Sequence, residues 1–288
     1  MAATKDVRYR SLTMRFLVTG ATGHVGPELI SILLEGGHAL RAVVRDRAAP
    51  LDRNVEAFVG DLNAAETLRP ALAGVDGVFL LSGYDDAGLV RELRSAGVSR
   101  VALLSSSAAA SADLSNAVAA YHVRSERALE KSGIPATLLR PNSFMSNALR
   151  WLPQIVSGAP IKEAFSDVPI ATNDPRDIAA VGAVGLLADE PETRAYRITG
   201  PEALRAAQRV AILSEVLGRE LPFEPLSNEA ARQQMSASMP DAYVDAFFDF
   251  FVEGSLDETT VLPTVEAVTG RPPRTFREWA QEHAGEFG

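Results

Sequence analysis

Cysteine is absent from all 288 positions. Disulfides, thiolate metal centres and a cysteine nucleophile are therefore excluded, and no metal site is expected. Basic charge is also short: 28 Lys and Arg stand against 37 Asp and Glu, a net charge of -9. That balance argues against nucleic acid or an anionic membrane as the main partner, while leaving room for a local basic pocket. No apolar run reaches the ~18 residues needed to span a bilayer. Residues 1–13 carry Lys5, Asp6, Arg8 and Arg10 without an apolar stretch. They are read as a disordered lead and not a secretory signal, with Met14 as a second start. The expectation is a cytoplasmic protein with no membrane partner. A homodimer is left open.

What is there is ordinary in bulk. The apolar share is 47% and the charged share 23%, values that fit a globular chain with a large core. Apolar β-type runs alternate with helical patterns in the first half, the mark of repeated βα units. Strands are predicted at Arg15–Thr19, Ala39–Val44, Val55–Val59, Val78–Leu81, Val101–Ser105 and Ala136–Arg140. Helices are predicted at His24–Glu35, Leu89–Ala96 and Asn116–Lys131. Asn63 with Glu66 reads as a capping box for a short helix. The fold class is therefore α/β: a Rossmann-type doubly wound parallel sheet with a smaller, mostly C-terminal α/β substrate lobe. Residues 14–142 and about 174–202 are assigned to the nucleotide-binding domain, and about 143–173 and 203–288 to the lobe. The stretch Gln154–Asp174 is turn-rich. A helix is expected over Asp177–Ala188, capped by Asp177, then a strand over Tyr196–Thr199 and helices over Val210–Leu217 and Asp241–Val252.

The first βα junction reads Thr19-Gly20-Ala21-Thr22-Gly23-His24-Val25-Gly26. Gly20 permits a tight turn, Gly23 lets backbone approach a pyrophosphate, and Gly26 lets the helix pack closely on the strand. A pyrophosphate would lie at the helix N-terminus, where free N–H groups favour an anion. The spacing is GxxGxxG and not the commoner GxGxxG. Its place between a first strand and an amphipathic helix is what gives it weight. At the end of the second strand an NAD site usually carries an acid. Here stands Arg45, nineteen positions past Gly26. A guanidinium pairs well with a 2′-phosphate, which predicts NADPH as the cofactor. Asp46, next to it, is an acid that would serve the ribose instead.

These residues resemble the atypical short-chain dehydrogenase/reductases, and within them the NmrA-like group. The resemblance extends from Met14 over nearly the whole chain. It takes in Val44-Arg45, Gly60-Asp61-Leu62, Ala96-Gly97-Val98, and Leu139-Arg140-Pro141 with Phe144 and Asn147. It continues through Asp177-Ile178-Ala179, Thr199-Gly200-Pro201 and Thr269-Gly270-Arg271-Pro272-Pro273. What it implies is a set of cofactor contacts. Asp61 and Leu62 would lie by the adenine, Leu81 and Ser82 by the ribose, and Ser105 and Ser106 by the nicotinamide ribose. Pro141, Asn142 and Phe144 would flank the nicotinamide. Read from the residues alone, Asp61 also suits a simple turn cap.

Active short-chain dehydrogenases carry Tyr-x-x-x-Lys on the long helix, the lysine lowering the tyrosine pKa. In register, those positions fall at Val118 and His122, so neither residue is present. His122 and Tyr121 become the catalytic candidates. Glu126, four residues on, is placed to orient the imidazole, and the bland alternative is a packed surface histidine. The quinone and triphenylmethane-dye reductases of the group are similar in having histidine there. Hydride transfer to a quinone, iminium or conjugated carbonyl needs little acid help, only a placed cofactor and a dry pocket. Phe144, Met145 and Trp151, with Phe247, Phe248, Phe250 and Phe251, could line it, although such a stripe is more often core. The leading reading is an NADPH-dependent reductase of a hydrophobic, electron-poor small molecule. The alternative is a non-catalytic NADP-binding redox sensor of the NmrA type. An isomerase or epimerase is disfavoured, because it needs the missing acid/base pair.

Overall fold

A computed structural model describes residues 13–84 and 86–288. The expected lead lies almost wholly outside the described residues. From the N-terminus the order is β1 (Arg15–Thr19), α1 (Val25–Glu35), β2 (Ala39–Val44), β3 (Val55–Val59), α2 (Arg69–Leu72), β4 (Gly77–Leu81), α3 (Asp86–Ser95) and β5 (Arg100–Leu104). Then come α4 (Ala117–Ser132), β6 (Ala136–Pro141), α5 (Leu152–Ser157), β7 (Ile161–Glu163), α6 (Pro175–Leu187), β8 (Arg194–Ile198) and α7 (Ala206–Leu217). The chain ends with β9 (Phe223–Pro225), α8 (Asn228–Ser236), α9 (Asp241–Phe251), α10 (Thr264–Thr269) and α11 (Phe276–Glu282).

Seven strands form one parallel sheet in the order β3-β2-β1-β4-β5-β6-β8. The expected α/β class and doubly wound parallel sheet are therefore present. The runs Phe16–Val18, Val78–Leu80 and Val101–Leu103 are buried throughout, as strands covered on both faces must be. Alternate side chains feed two cores. Phe16, Val18, Phe79 and Ala102 pack with α1 and α6, including Leu29, Leu33, Ile178 and Val181. Leu17, Val78, Leu80 and Leu103 pack with α2, α3 and α4, including Leu72, Leu93 and Leu129. A third core joins Met145, Trp151, Ile161, Val210, Leu213, Phe276 and Trp279. Strand order reverses between β1 and β4, which opens a crevice at their carboxyl ends.

Some local expectations fail for identifiable reasons. No Asn63 cap forms: the turn from Ala65 to Leu68 starts at Ala64 without a side-chain cap, and Thr67 Oγ1 instead bonds Ala64 O at 2.7 Å. The cap of α6 is Asp174, whose Oδ1 accepts from Arg176 N at 2.9 Å. Pro175 suits the first helical position, so the helix begins two residues before Asp177. Asp177 accepts from Arg274 N at 2.8 Å instead. The turn-rich stretch after Gln154 contains β7, which pairs in parallel with β9. Three residues are too few to show a period.

Candidate functional site

The glycine turn sits at the carboxyl end of β1. Gly20 has φ +65, a backbone suited to glycine, and Gly23 N donates to Gly20 O at 2.9 Å. A β-carbon on Gly26 would come within 2.2 Å of Gly20 O, so only glycine allows α1 to start this close to the turn. Val25 and Gly26 are buried beneath it, while Thr22, Gly23 and His24 are exposed. His24 occupies the N-cap position of α1 and makes no side-chain cap. The first N–H groups of the helix are left to an outside acceptor. This cradle fits a pyrophosphate. Thr19 serves otherwise. Its hydroxyl is buried, donates to Phe79 O and accepts from Leu81 N, both at 3.0 Å. It ties β1 to β4 and has no free face for a ligand.

Beside the turn, the ends of β4, β5 and β6 line an open cavity of about 320 Å³, the inner cavity. Nine of the predicted residues meet in its wall: Leu81, Ser82, Ser105, Ser106, Tyr121, His122, Pro141, Asn142 and Phe144. α4 brings in the two ring residues, and Asn116 fixes where it starts. Asn116 Oδ1 accepts from Val118 N and Ala119 N, both at 3.1 Å. Its Nδ2 reaches Ala246 O at 3.2 Å and Asp249 Oδ2 at 3.0 Å, which locks α9 onto α4. Phe247, Phe250 and Phe251 of α9 complete the wall, so part of the phenylalanine stripe faces the crevice. Met145 and Trp151 are buried in the third core instead.

The histidine is not held as its spacing suggests. Glu126 forks onto Arg140, with Nε at 2.9 Å and Nη2 at 2.6 Å, and accepts from Ser105 Oγ at 2.6 Å. A bidentate guanidinium outcompetes an i, i+4 imidazole for the carboxylate. His122 Nδ1 lies 2.7 Å from Ser82 Oγ. Burial pushes the imidazole pKa down to about 4, against a smaller opposing pull from the Glu126 charge. The ring is neutral at pH 7. Tyr121 meets His122 edge-on, with centroids 4.7 Å apart. A β-carbon on Gly83, where φ is +87, would fall 1.8 Å from the Tyr121 ring. Gly83 thus leaves the space that Tyr121 fills.

An acid that sequence reasoning missed lies in the same wall. Glu258 is buried, and it accepts from Ser107 Oγ at 3.1 Å, Ser143 N at 3.0 Å and Ser143 Oγ at 2.7 Å. Burial raises its pKa, against the pull of those hydrogen bonds. Its own backbone O accepts from Asn142 Nδ2 at 3.1 Å. Asn142 Oδ1 has no donor among the described residues, a buried acceptor of the kind a carboxamide N–H satisfies. Glu258 stands in an irregular stretch between α9 and α10, where no period or motif marks it.

The remaining predicted residues lie apart, beyond β2 and β3. Arg45 is exposed, and its side chain makes no ion pair among the described residues. Asp46 Oδ1 is occupied by Ala48 N at 2.9 Å. Asp61 caps a turn, with Oδ1 accepting from Asn63 N at 2.9 Å, and Leu62 packs into the second core.

The model of the NmrA-like family matches residues 13–280. The chain belongs to the NmrA-like family. A (4-alkanoyl-5-oxo-2,5-dihydrofuran-3-yl)methyl phosphate reductase from Streptomyces griseus subsp. griseus is 38% identical, over 94% of this chain and 98% of the relative. An NAD(P)H azoreductase from Xenophilus azovorans is 33% identical, over 94% of this chain and 99% of the relative. The solved NADPH-dependent quinone oxidoreductase from Escherichia coli is 27% identical, with a TM-score of 0.75, covering 93% of this chain and 98% of that one. The protein is an oxidoreductase of the kind that works with a nicotinamide cofactor. Among the described residues no helix is long and apolar enough to cross a membrane.

Proposed function

We propose that this enzyme uses NADPH to reduce a flat, hydrophobic, electron-poor molecule: a quinone, an iminium or a conjugated carbonyl. The observation that carries the reading is the half-buried, neutral His122, held by Ser82 in the wall of a phenylalanine-lined cavity beside the glycine turn. When bound, the cofactor supplies a hydride. The Gly20–Gly26 turn and the start of α1 hold its pyrophosphate. Asn142 Oδ1 would accept from its carboxamide, Phe144 and Pro141 would flank the ring, and Ser105, Ser106 and Leu81 would line the ribose. His122 Nδ1 is paired with Ser82 Oγ, which leaves Nε2 as the ring nitrogen that would meet the ribose or the acceptor oxygen.

A neutral imidazole is a weak acid, and no lysine assists Tyr121. Alkoxide formation from an aliphatic ketone therefore lacks the help that general acids give, typically ~10²–10⁴ in rate. A quinone or conjugated carbonyl delocalises the incoming charge and takes its proton from water. Residues 143–173 and 203–288 act as the substrate lobe through α9. The preference for NADPH rests on Arg45, which is exposed, while the Asp46 Oδ1 nearby is held in its own turn.

The test is a spectrophotometric panel at saturating NADPH. Quinones and conjugated carbonyls should be reduced, and small aliphatic ketones and sugars hardly at all. Fast reduction of an aliphatic ketone would refute the reading.

A further inference from the structure

Next to the inner cavity lies an outer one of about 590 Å³. The two share Ser143, Asn147, Phe247 and Phe251 as a common wall. Its lining includes the apolar side chains of Phe165, Met235 and Met239. It also includes three cations, Arg150, Lys162 and Arg209, against a single carboxylate, Glu163. On a chain of net charge -9, that concentration of positive charge requires a reason.

Arg209 supplies it. Projecting from α7, it is 6% exposed. Its Nε has no acceptor, and among the described residues its guanidinium makes no hydrogen bond or ion pair. It lies over the Trp151 ring, 5.6 Å from the centroid. The one acid in the wall is engaged elsewhere, since Glu163 Oε2 accepts from Trp151 Nε1 at 2.6 Å. The neighbouring cations are also occupied. Arg150 Nε donates to Asn147 O at 3.2 Å, and Lys162 Nζ pairs with Glu224 Oε2 at 3.4 Å. The Glu163 and Glu258 charges act on it only from beyond ion-pair distance, and a buried guanidinium with no hydrogen-bonded acceptor is costly to keep. Its planar fork matches an anion with two oxygens in one plane.

We propose that Arg209 binds an anionic group of the substrate, a phosphate monoester or a carboxylate, in the outer cavity. The conjugated part of the same molecule then crosses the Phe247–Phe251 wall into the inner cavity. This rests on reading the inner cavity as the place of hydride transfer. The substrate class becomes a flat, electron-poor molecule with one acidic arm.

The test uses the full chain loaded with NADP⁺, so that the pyrophosphate turn is already filled. Phenyl phosphate, benzoate and uncharged phenol are titrated by calorimetry. One or both anions should bind at least about tenfold more tightly than phenol, and Arg209→Met should remove that margin. Whichever anion binds more tightly names the acidic arm. Methionine keeps the packing on Trp151 and removes an unpaired charge, so the variant should melt no lower than the parent. A lower melting temperature with unchanged anion binding would make Arg209 a structural residue and overturn the proposal. If Arg209→Met does not fold, the parent titration decides: anions no tighter than phenol overturn it. Reduction of uncharged quinones without any anion binding would remove the subsite and leave the reductase reading intact. Arg209-dependent anion binding in a protein that reduces no acceptor would do the reverse.

Discussion

Ser82 Oγ and His122 Nδ1 stand 2.7 Å apart and bridge the end of β4 to α4. The next residue repeats the tie, with Gly83 N donating to Ser125 Oγ at 2.8 Å. Two consecutive residues after β4 therefore set the position of the long helix, and with it the ring that faces the inner cavity. His122→Ala should lower turnover by about tenfold or more, because the ring that would position the cofactor ribose is lost. Ser82→Ala should lower it less, since the ring is kept but loses its partner. Tyr121→Phe should change turnover little, because the Tyr121 hydroxyl makes no hydrogen bond among the described residues. Steady-state kinetics on one quinone checks all three, and a large loss in Tyr121→Phe alone would transfer the role to the tyrosine.

The imidazole also predicts a pH dependence of stability. Its folded pKa is about 4 against an ordinary value of 6.5, so the unfolded chain takes up the proton first. The contribution is complete above pH 6.5 and is lost as pH falls towards 4, up to about 3 kcal/mol in all. Asp177, raised by burial to about 6, acts in the opposite direction: the folded state holds its proton more tightly, so its contribution is lost as pH rises through that value. Comparing the parent with His122→Gln separates the two. Denaturant melts at pH 7 and pH 4.5 should show a smaller loss on acidification in the variant.

Two glycines of the turn should respond differently. A β-carbon on Gly26 meets Gly20 O at 2.2 Å, whereas one on Gly23 meets the same atom at 3.3 Å. Gly26→Ala should lower both the melting temperature and cofactor affinity. Gly23→Ala should weaken NADPH binding with little change in melting temperature. Calorimetric titration alongside thermal melts would expose the reverse pattern, which would move the pyrophosphate off this turn.

Arg45→Asp tests the cofactor preference. NADPH should bind the parent more tightly than NADH by about tenfold or more, the size of one charge-assisted contact. The variant should lose or invert that ratio. Equal affinities in the parent protein would remove the role given to Arg45.

Glu258→Ala should leave Ser107 Oγ and the Ser143 groups without their acceptor, a cost of about 1–3 kcal/mol. Glu258→Gln keeps an acceptor oxygen and should recover most of that in a thermal melt. Equal stability of the two variants would show that the carboxyl does not organise this wall.

Much of this was legible in the sequence wherever physics is local. β1, β4 and β5 stand out because parallel strands buried on both faces leave unbroken apolar runs, whereas β3, at the sheet edge, exposes Glu56 and Val59. The glycine turn is legible because strand, glycines and amphipathic helix are contiguous. Partner choice was not legible. Glu126 has the right spacing for His122, yet a guanidinium from β6 takes it. Thr19 sits inside the fingerprint, yet its hydroxyl serves the sheet. Glu258 and Arg209 reach the cavities from distant segments, and nothing in their neighbours announces it.

Glu258 meets Ser143 and Ser107 across 115 and 151 positions of chain. The seventh strand of the sheet is complete at Ile198, well before this acid exists on a growing polypeptide. At ~5–20 residues per second, the ribosome leaves an interval of seconds in which a finished sheet has an unfinished pocket. A sheet folded in that interval would leave Ser107 and Ser143 to water. The carboxyl arrives after its donors are in position, so synthesis order lets the chain dehydrate an acid only once somewhere is ready to receive it.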